Sequence, residues 1–419
     1  MRAIRDDQGD VEEGVQPGQL GDGGILRAPQ SGVLLRPGLE GMVDRAVHGG
    51  TGRIHRLVQQ EAYQGIIGRD GPRPIQDVTG TRSIGRFGLE KRQHPPIQSD
   101  SIEGIVDDKE GKMEENVSVL ISLYKPNAVF LEKQLESINN QIFKGRITVI
   151  IHDDCPDDDN WESFARQHLS NHEVRYYKSP LNLGYVKAFE HLVTLAEGDY
   201  IAFCDQDDEW EPYRIAKGAA ALRSGYGLVV CDRSIINVDG NIETKSWKAA
   251  HPNSIECNWS SGDNITVSAA FRCYAIGMAT MAKTELVKQF LPFPTCTGHD
   301  KWIALCASAC GPCAYINEPL VRYRRHGNNV TGLFQGITCK QDWYSERVEP
   351  SLELAQEFVR RFPNCSEGKQ ILYFAEARRD RNIKKILKLA KYEPTLAIFE
   401  AILPFLPNKL FKQLGKMTN

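Results

Sequence analysis

The segment CDQDDEW, residues 204–210, holds Asp205, Asp207 and Asp208 directly after the apolar run YIAFC. Three carboxylates so close together at the end of a buried strand repel one another, and the arrangement is costly unless a cation shares the site. Oxygen-only donors favour Mg2+ or Mn2+, which keep positions open for substrate phosphates. A solvated acidic turn is the plain alternative. A second pair, Asp153 and Asp154, ends the run ITVIIHDD, where a carboxylate can accept hydrogen bonds from a nucleobase or ribose. The acids that follow, Asp157, Asp158 and Asp159, read as a solvated loop. Further on, His299 and Asp300 open an apolar helical stretch, where an Asp either caps the helix or is free for other work. Finally YRRHGNNVTG sets Arg324, Arg325 and His326 before a glycine and two asparagines. Such a loop can close over a diphosphate, or be a charged surface turn.

The elements between these clusters alternate. VSVLISLY is a nearly continuous apolar run, as expected for a strand buried on both faces. VFLEKQLESINNQ then carries Val129, Leu131, Leu135 and Ile138 close to a helical stripe, and ITVIIHDD returns to strand. EVRYYKSP, LGYVKAFEHLVTLA and DYIAFCDQDD repeat the strand, helix, strand pattern. The alternation predicts an α/β fold with an open, mostly parallel sheet flanked by helices, whose ligands sit at the carboxyl ends of strands. Those ends carry the acidic clusters. Beyond residue 350 the chain reads as helical: LELAQEFVRRF, then KQILYFAEARRDRNIKKILKLAKY, then EPTLAIFEAILPFLPNKLFKQLGK. In the last segment Phe399, Ile402, Leu403, Phe405, Leu406, Leu410 and Phe411 stand beside Lys409, Lys412 and Lys416. That face either lies on an anionic membrane or caps the domain core.

Composition divides the chain near residue 113. Of 419 residues, 41% are hydrophobic and 25% charged, enough for a full-sized core. Residues 1–112, however, hold 20 of the 36 glycines and none of the 11 cysteines or 6 tryptophans, too little to build a core. We expect no stable fold there: the segment is either a mistaken extension of the reading frame, with Met113 as the natural start, or a disordered arm. Lys109, Glu110 and Gly111 suit the first reading, since their codons can spell a ribosome-binding sequence just upstream. The net charge of −3 gives no global cationic surface for nucleic acid. No membrane span or signal peptide is readable, so the expected compartment is the cytoplasm, with peripheral contact on the inner membrane face if the tail binds lipid. The odd cysteine count suits reduced thiols, and Cys306, Cys310 and Cys313 lack a fourth ligand at zinc spacing.

Taken in order, these motifs resemble family 2 glycosyltransferases of GT-A fold, particularly the bacterial rhamnosyltransferase-like branch. VSVLISLYKP is similar to the family's first nucleotide-binding strand, HDDCPDD to its paired-Asp segment and SPLNLGYVKAFE to its Asn-Gly loop and helix. FCDQDDEW resembles the DxD metal motif, AIGMATMAKTELVKQFLPFP the acceptor-side segment, GHDKWIALCASACG the helix bearing the base, and PLVRYRRHGNNVTG the closing loop. The resemblance covers residues 116–332 and implies a domain over 113–335 followed by a helical region over 336–419. It implies that Ser122 and Tyr124 line a nucleotide pocket, with Asp153 at the base or ribose and Asn182 near the diphosphate. Asp207 is the first metal ligand for Mn2+ or Mg2+, Asp205 serves ribose or metal, and Asp208 is a second choice. Asp300 is the general base, Gly277 lines the acceptor side, and Arg324 and His326 serve the diphosphate, His326 also the metal. The implied reaction moves a sugar, with inversion, from a nucleotide-diphospho-sugar to a saccharide or lipid-linked saccharide in cell-surface polysaccharide synthesis. Cys155, Pro156 and Lys301 depart from the family pattern. Two rival classes remain: a haloacid-dehalogenase-type phosphatase, disfavoured by Asp208, Glu209 and Trp210 where Thr or Val is required, and an inactive sugar-nucleotide-binding module.

Overall fold

Continuous apolar strands are buried on both faces here because they pair in parallel. The computed structural model describes residues 114–157, 161–254, 256–326 and 336–411. The expectations for residues 1–113, for Asp158 and Asp159, and for Lys412 and Lys416 lie outside the described residues. Strand β1 (Asn116–Leu123) lies between β2 (Arg146–Asp153) and β4 (Tyr200–Cys204), parallel to both, and β3 (Glu173–Lys178) runs parallel outside β2. The register aligns Leu123 with Asp153 and Asp153 with Lys178, and Ile121 with Cys204. The carboxyl ends of these strands therefore share one edge, with the acids just beyond it.

Helix α1 (Ala128–Asn139) starts where the Asn127 side chain accepts from the amides of Val129 and Phe130. Its buried residues are Leu131, Gln134, Leu135 and Ile138, at helical spacing. Val129, expected on that stripe, is 61% exposed, because it precedes the first buried turn. Helix α2 (Glu162–His168) joins β2 to β3, and α3 (Tyr185–Leu195) packs on β1 and β2 through Ala188, Phe189, Leu192 and Val193.

Beyond β4 come β5 (Glu209–Trp210), α4 (Arg214–Arg223), β6 (Leu228–Ile236), β7 (Ile242–Thr244), β8 (Thr280–Lys283), α5 (His299–Cys310) and β9 (Cys313–Arg324). The described strands form one sheet in the order β3-β2-β1-β4-β8-β6-β9-β5, with β7 on β6. Strand β8 is antiparallel to both neighbours, while β6 and β9 are parallel, so the sheet is mixed and mostly parallel. Arg214, fully buried, joins the two halves: its guanidinium stacks 3.7 Å from the Trp210 ring and donates to the carbonyls of Phe203 and Met278.

The C-terminal region contains α6 (Glu349–Arg361), α7 (Gly368–Arg379), α8 (Ile383–Lys388) and α9 (Pro394–Ile402). Residues 369–392 read as one helical segment but break at Arg381, whose φ of 52° turns the chain before Asn382 caps α8. Ile402, Leu403, Leu406 and Phe411 are buried, and Phe405 at 59% is the exposed exception. Among the described residues, most of the apolar tail thus packs into the core. Among the described residues no helix is long and apolar enough to cross a membrane.

Arg378 holds this region together, pairing with Glu400 at 2.7 Å and donating to the Ser351 hydroxyl at 2.8 Å. Both members of the pair are buried, and the Trp343 indole also donates to Glu400. Arg378→Ala would leave Glu400 without its countercharge, so a loss of about 3–5 kcal/mol is expected. Urea unfolding of the variant against the parent chain checks this, and an unchanged midpoint would show that the pair is not needed.

Candidate active site

The middle residue of the acidic trio ties two loops together. Gln206 accepts the Tyr124 amide through Oε1 at 2.8 Å and donates through Nε2 to the Tyr124 carbonyl at 3.1 Å. The loop after β1 is thereby fixed to the loop after β4. The Tyr124 ring stands 46% exposed beside the acids, a flat apolar surface on which a base can stack. Ser122 lies at the end of β1, opposite His152 in the register.

Around Gln206 the three carboxylates have different surroundings. Asp207 Oδ2 lies 2.7 Å from Nε2 of His326, which follows β9, and the His326 ring stacks over Phe130 of α1 at 5.6 Å. Asp208 is 0% exposed; its Oδ1 accepts the Arg324 amide at 2.9 Å, while Oδ2 is buried without a hydrogen-bond partner. Burial, reinforced by the charges of Asp207 and Asp205, pushes the Asp208 carboxyl well above its usual range. Burial and the charges of Asp207 and Asp300 likewise raise Asp205 to about 7. The fold has therefore brought Asp300, 95 residues away in sequence, within electrostatic reach of Asp205.

Arg324 turns inward. Its guanidinium is buried, donates to the carbonyls of Asp207 and Asn237, pairs with Glu209 and lies 4.7 Å from the Phe130 ring. It braces β5 and the β6–β7 turn against β9. Asp208 also differs from Asp207 in being walled in beneath the Arg324 backbone. These residues fit a hard divalent cation, because they are all oxygen or imidazole donors and Asp208 Oδ2 is buried with no hydrogen-bond partner. Among the described residues no three His, Cys, Asp or Glu side chains converge enough to hold an ion unaided.

At the end of β2, Asp153 is fully enclosed. Its oxygens accept from the Cys155 amide, the Tyr176 hydroxyl at 2.6 Å and the Lys178 amine at 2.7 Å. Asp154 anchors the next loop, accepting the amides of Leu183 at 2.7 Å and Gly184 at 2.8 Å. Asn182 also accepts from Gly184, whose φ of 77° suits glycine at the start of α3. Asn182 itself is exposed at the edge.

Asp300 lies in the first turn of α5. Its Oδ2 accepts from the Cys273 thiol at 3.2 Å and its Oδ1 from the Lys301 amide at 2.7 Å. His299 beside it is buried, stacked on Phe189 at 4.0 Å, with neither ring nitrogen hydrogen-bonded. Gly277 makes room for that ring: a Cβ there would lie 3.3 Å from His299 Nε2. Sequence reading missed Phe130, Gln206, Asp154 as loop anchor and Cys273. Only Phe130 carried a signal, an aromatic just off the apolar stripe of α1.

Burial lowers His299 from 6.5 to about 4, so it is neutral in the folded protein. The unfolded chain binds a proton there near 6.5 and the folded one only near 4. Its contribution is therefore complete above pH 6.5 and is lost as the pH falls toward 4, by about 3 kcal/mol. In His299→Leu the melting temperature should fall less steeply than in the parent between pH 6.5 and 4. Parallel curves would refute the assignment.

Residues 118–277 match Glycosyl transferase family 2, a span that includes both acidic segments and stops short of Asp300 and His326. An uncharacterized glycosyltransferase of Methanocaldococcus jannaschii is 30% identical over 102 residues, 24% of this chain and 35% of that protein. An uncharacterized glycosyltransferase of Nostoc sp. is 22% identical over 249 residues, 59% of this chain and 75% of that one. The match thus spans about a third of the archaeal relative's length. The crystal structure of Staphylococcus aureus TarS 1–349 in complex with UDP-GlcNAc is 14% identical, covers 72% of this chain and 92% of that chain, and has a TM-score of 0.46. Over residues 118–277 this chain is therefore similar to family 2 glycosyltransferases.

Proposed function

We propose that the protein transfers a sugar, with inversion, from a nucleotide-diphospho-sugar to an acceptor hydroxyl. The observation that supports this is His326 on Asp207 just beyond the end of β4, with the charges of Asp207 and Asp300 raising Asp205 beside them. Tyr124 and Ser122 offer the walls for a nucleoside, with Asp153 and its Lys178 partner beneath and Asn182 toward the diphosphate. Asp207 and His326 would hold Mg2+ or Mn2+ with help from Asp205. The bound cation supplies positive charge to the diphosphate as it leaves.

Asp300 accepts the proton of the acceptor hydroxyl as that oxygen attacks the anomeric carbon opposite the leaving group. The anomeric configuration inverts, through a transition state with oxocarbenium character. Cys273 and the Lys301 amide orient the Asp300 carboxylate. The acceptor we assign is a saccharide or lipid-linked saccharide of a cell-surface polysaccharide, and the donor a rhamnosyl or related sugar nucleotide.

The test is release of nucleoside diphosphate from a panel of nucleotide sugars with Mn2+. One donor should turn over, and chelation should stop it. Asp207→Ala should lose donor binding in Mn2+, whereas Asp300→Asn should keep it and lose turnover by about 10²–10⁴-fold. Hydrolysis of a phosphate monoester by a chain that binds no sugar nucleotide would overturn the assignment in favour of a phosphatase. Donor binding without turnover of any donor would leave a binding module.

A further inference from the structure

Trp247 sits in a single helical turn, Trp247–Ala250, just after β7. One face of its ring stacks on His251, with centroids 3.7 Å apart and planes 24° from parallel. The guanidinium carbons of Arg233, from β6, and Arg325, the first residue after β9, lie 4.8 and 5.1 Å from the same ring centroid. The Arg325 amide donates to the Ile236 carbonyl, so both cations belong to the paired β6 and β9 strands. A third cation follows in the turn: the Lys248 amine lies 4.4 Å from the Tyr315 ring and 2.6 Å from Asn317 Oδ1.

These cations lack counterions. Among the described residues, neither the Arg233 nor the Arg325 guanidinium has an ion pair or a hydrogen bond. Asp232 is the adjacent carboxylate, but it is buried and its oxygens accept from the Ser246 hydroxyl and the Lys248 amide. Burial lowers both Arg233 and Lys248 from their ordinary values, which shows that the protein gives their charge less support than water does. Two guanidinium groups on one indole repel each other, and an anion between them relieves that repulsion through charge-assisted hydrogen bonds. The chain itself fixes where this basic cluster lies. His326, which touches Asp207, directly follows Arg325 in the chain.

We propose that Arg233 and Arg325, held on Trp247, bind a negatively charged group, a carboxylate or a phosphate, on the sugar acceptor. This rests on the transferase reading for the word acceptor, and on the basic cluster alone for anion binding. Arginine is suited to the task because its planar fork matches either anion bidentately, and stacking on Trp247 fixes the fork before the ligand arrives. Neutral acceptors gain nothing from the cluster, so it would discriminate by charge.

Titration of the full chain with D-glucuronate, D-glucose 6-phosphate and D-glucose, followed by ligand-observed NMR, tests this. At least one anionic sugar should bind about tenfold more tightly than glucose, which corresponds to one good charged contact. Preference for glucuronate identifies a carboxylate and preference for glucose 6-phosphate a phosphate. Arg325→Gln, an exposed position that should fold normally, should reduce the preference, and Arg233→Gln with Arg325→Gln should abolish it. Asp207→Ala should leave it intact. Equal binding of all three sugars, an unchanged preference in the arginine variants, or its loss in Asp207→Ala would each overturn the proposal. Binding of uridine and guanosine diphosphates with Mn2+, measured on the same samples, separates the two readings. If no nucleotide binds while the anion preference survives, the transferase reading falls and the anion site stands.

Discussion

Negative charge gathered on Asp205, Asp207 and Asp208 is the constraint around which this structure is organised. Parallel pairing of β1, β2 and β4 brings their carboxyl ends to one edge, and the sequence places acids there on two of the three strands. Left alone, those charges would repel, and the raised carboxyls of Asp205 and Asp208 record that repulsion together with burial. Much of the surrounding polar architecture answers it. His326 comes across from β9 to Asp207, the Arg324 amide meets Asp208, and Arg324 donates to the Asp207 carbonyl while its charge is taken by Glu209. Phe130 supports both His326 and Arg324 from α1. Asp207 thereby keeps partial exposure while Asp208 is enclosed.

A second layer fixes the loops that frame this opening. Gln206, Asp154 and Asn182 spend their side chains on backbone amides and carbonyls of neighbouring loops, so the edge of the sheet is a set of hydrogen-bonded turns. Across the opening, α5 presents Asp300 from its first turn, braced by Cys273, while the neutral ring of His299 packs among aromatic side chains behind it. A Cβ at Gly277 would crowd that imidazole, at 3.3 Å from Nε2. The C-terminal helices complete this side: Arg272 pairs with the buried Glu393 at the start of α9, and Arg361 donates to the Phe290 and Pro292 carbonyls. The helical region therefore shares the core of the domain that carries the site. Its apolar residues, which could equally have met a membrane, are used in that packing.

Local pattern carried a large part of this. Strand and helix alternation, the parallel part of the sheet, the helical C-terminal region and the acids at strand ends all follow from hydrophobic period and from chemistry confined to short windows. The errors of detail have local causes as well. Val129 was counted on the apolar stripe of α1 because valine is apolar, although the helix begins to bury only at Leu131. The segment 369–392 kept a helical composition through Arg381, and nothing in that composition announces a left-handed residue.

What the sequence determined by itself was which residues reach the edge, since strand length and apolar run set where each chain segment ends. Only the tertiary structure decided which way each side chain faces there. Asp207 is open and Asp208 enclosed, and Arg324 is buried on Glu209 while Arg325 lies over Trp247, although each pair is adjacent in sequence. The physical reason is that neighbours in sequence sit in different backbone settings: Asp207 lies in the turn after β4 and Asp208 just before β5, while Arg324 ends β9 and Arg325 follows it. Which side is inside depends on partners far away: the amide that meets Asp208 is 116 residues distant, and the one that fastens Gln206 is 82. No local window contains both members of such a pair, so the division of labour between neighbouring charges appears only once the sheet is assembled.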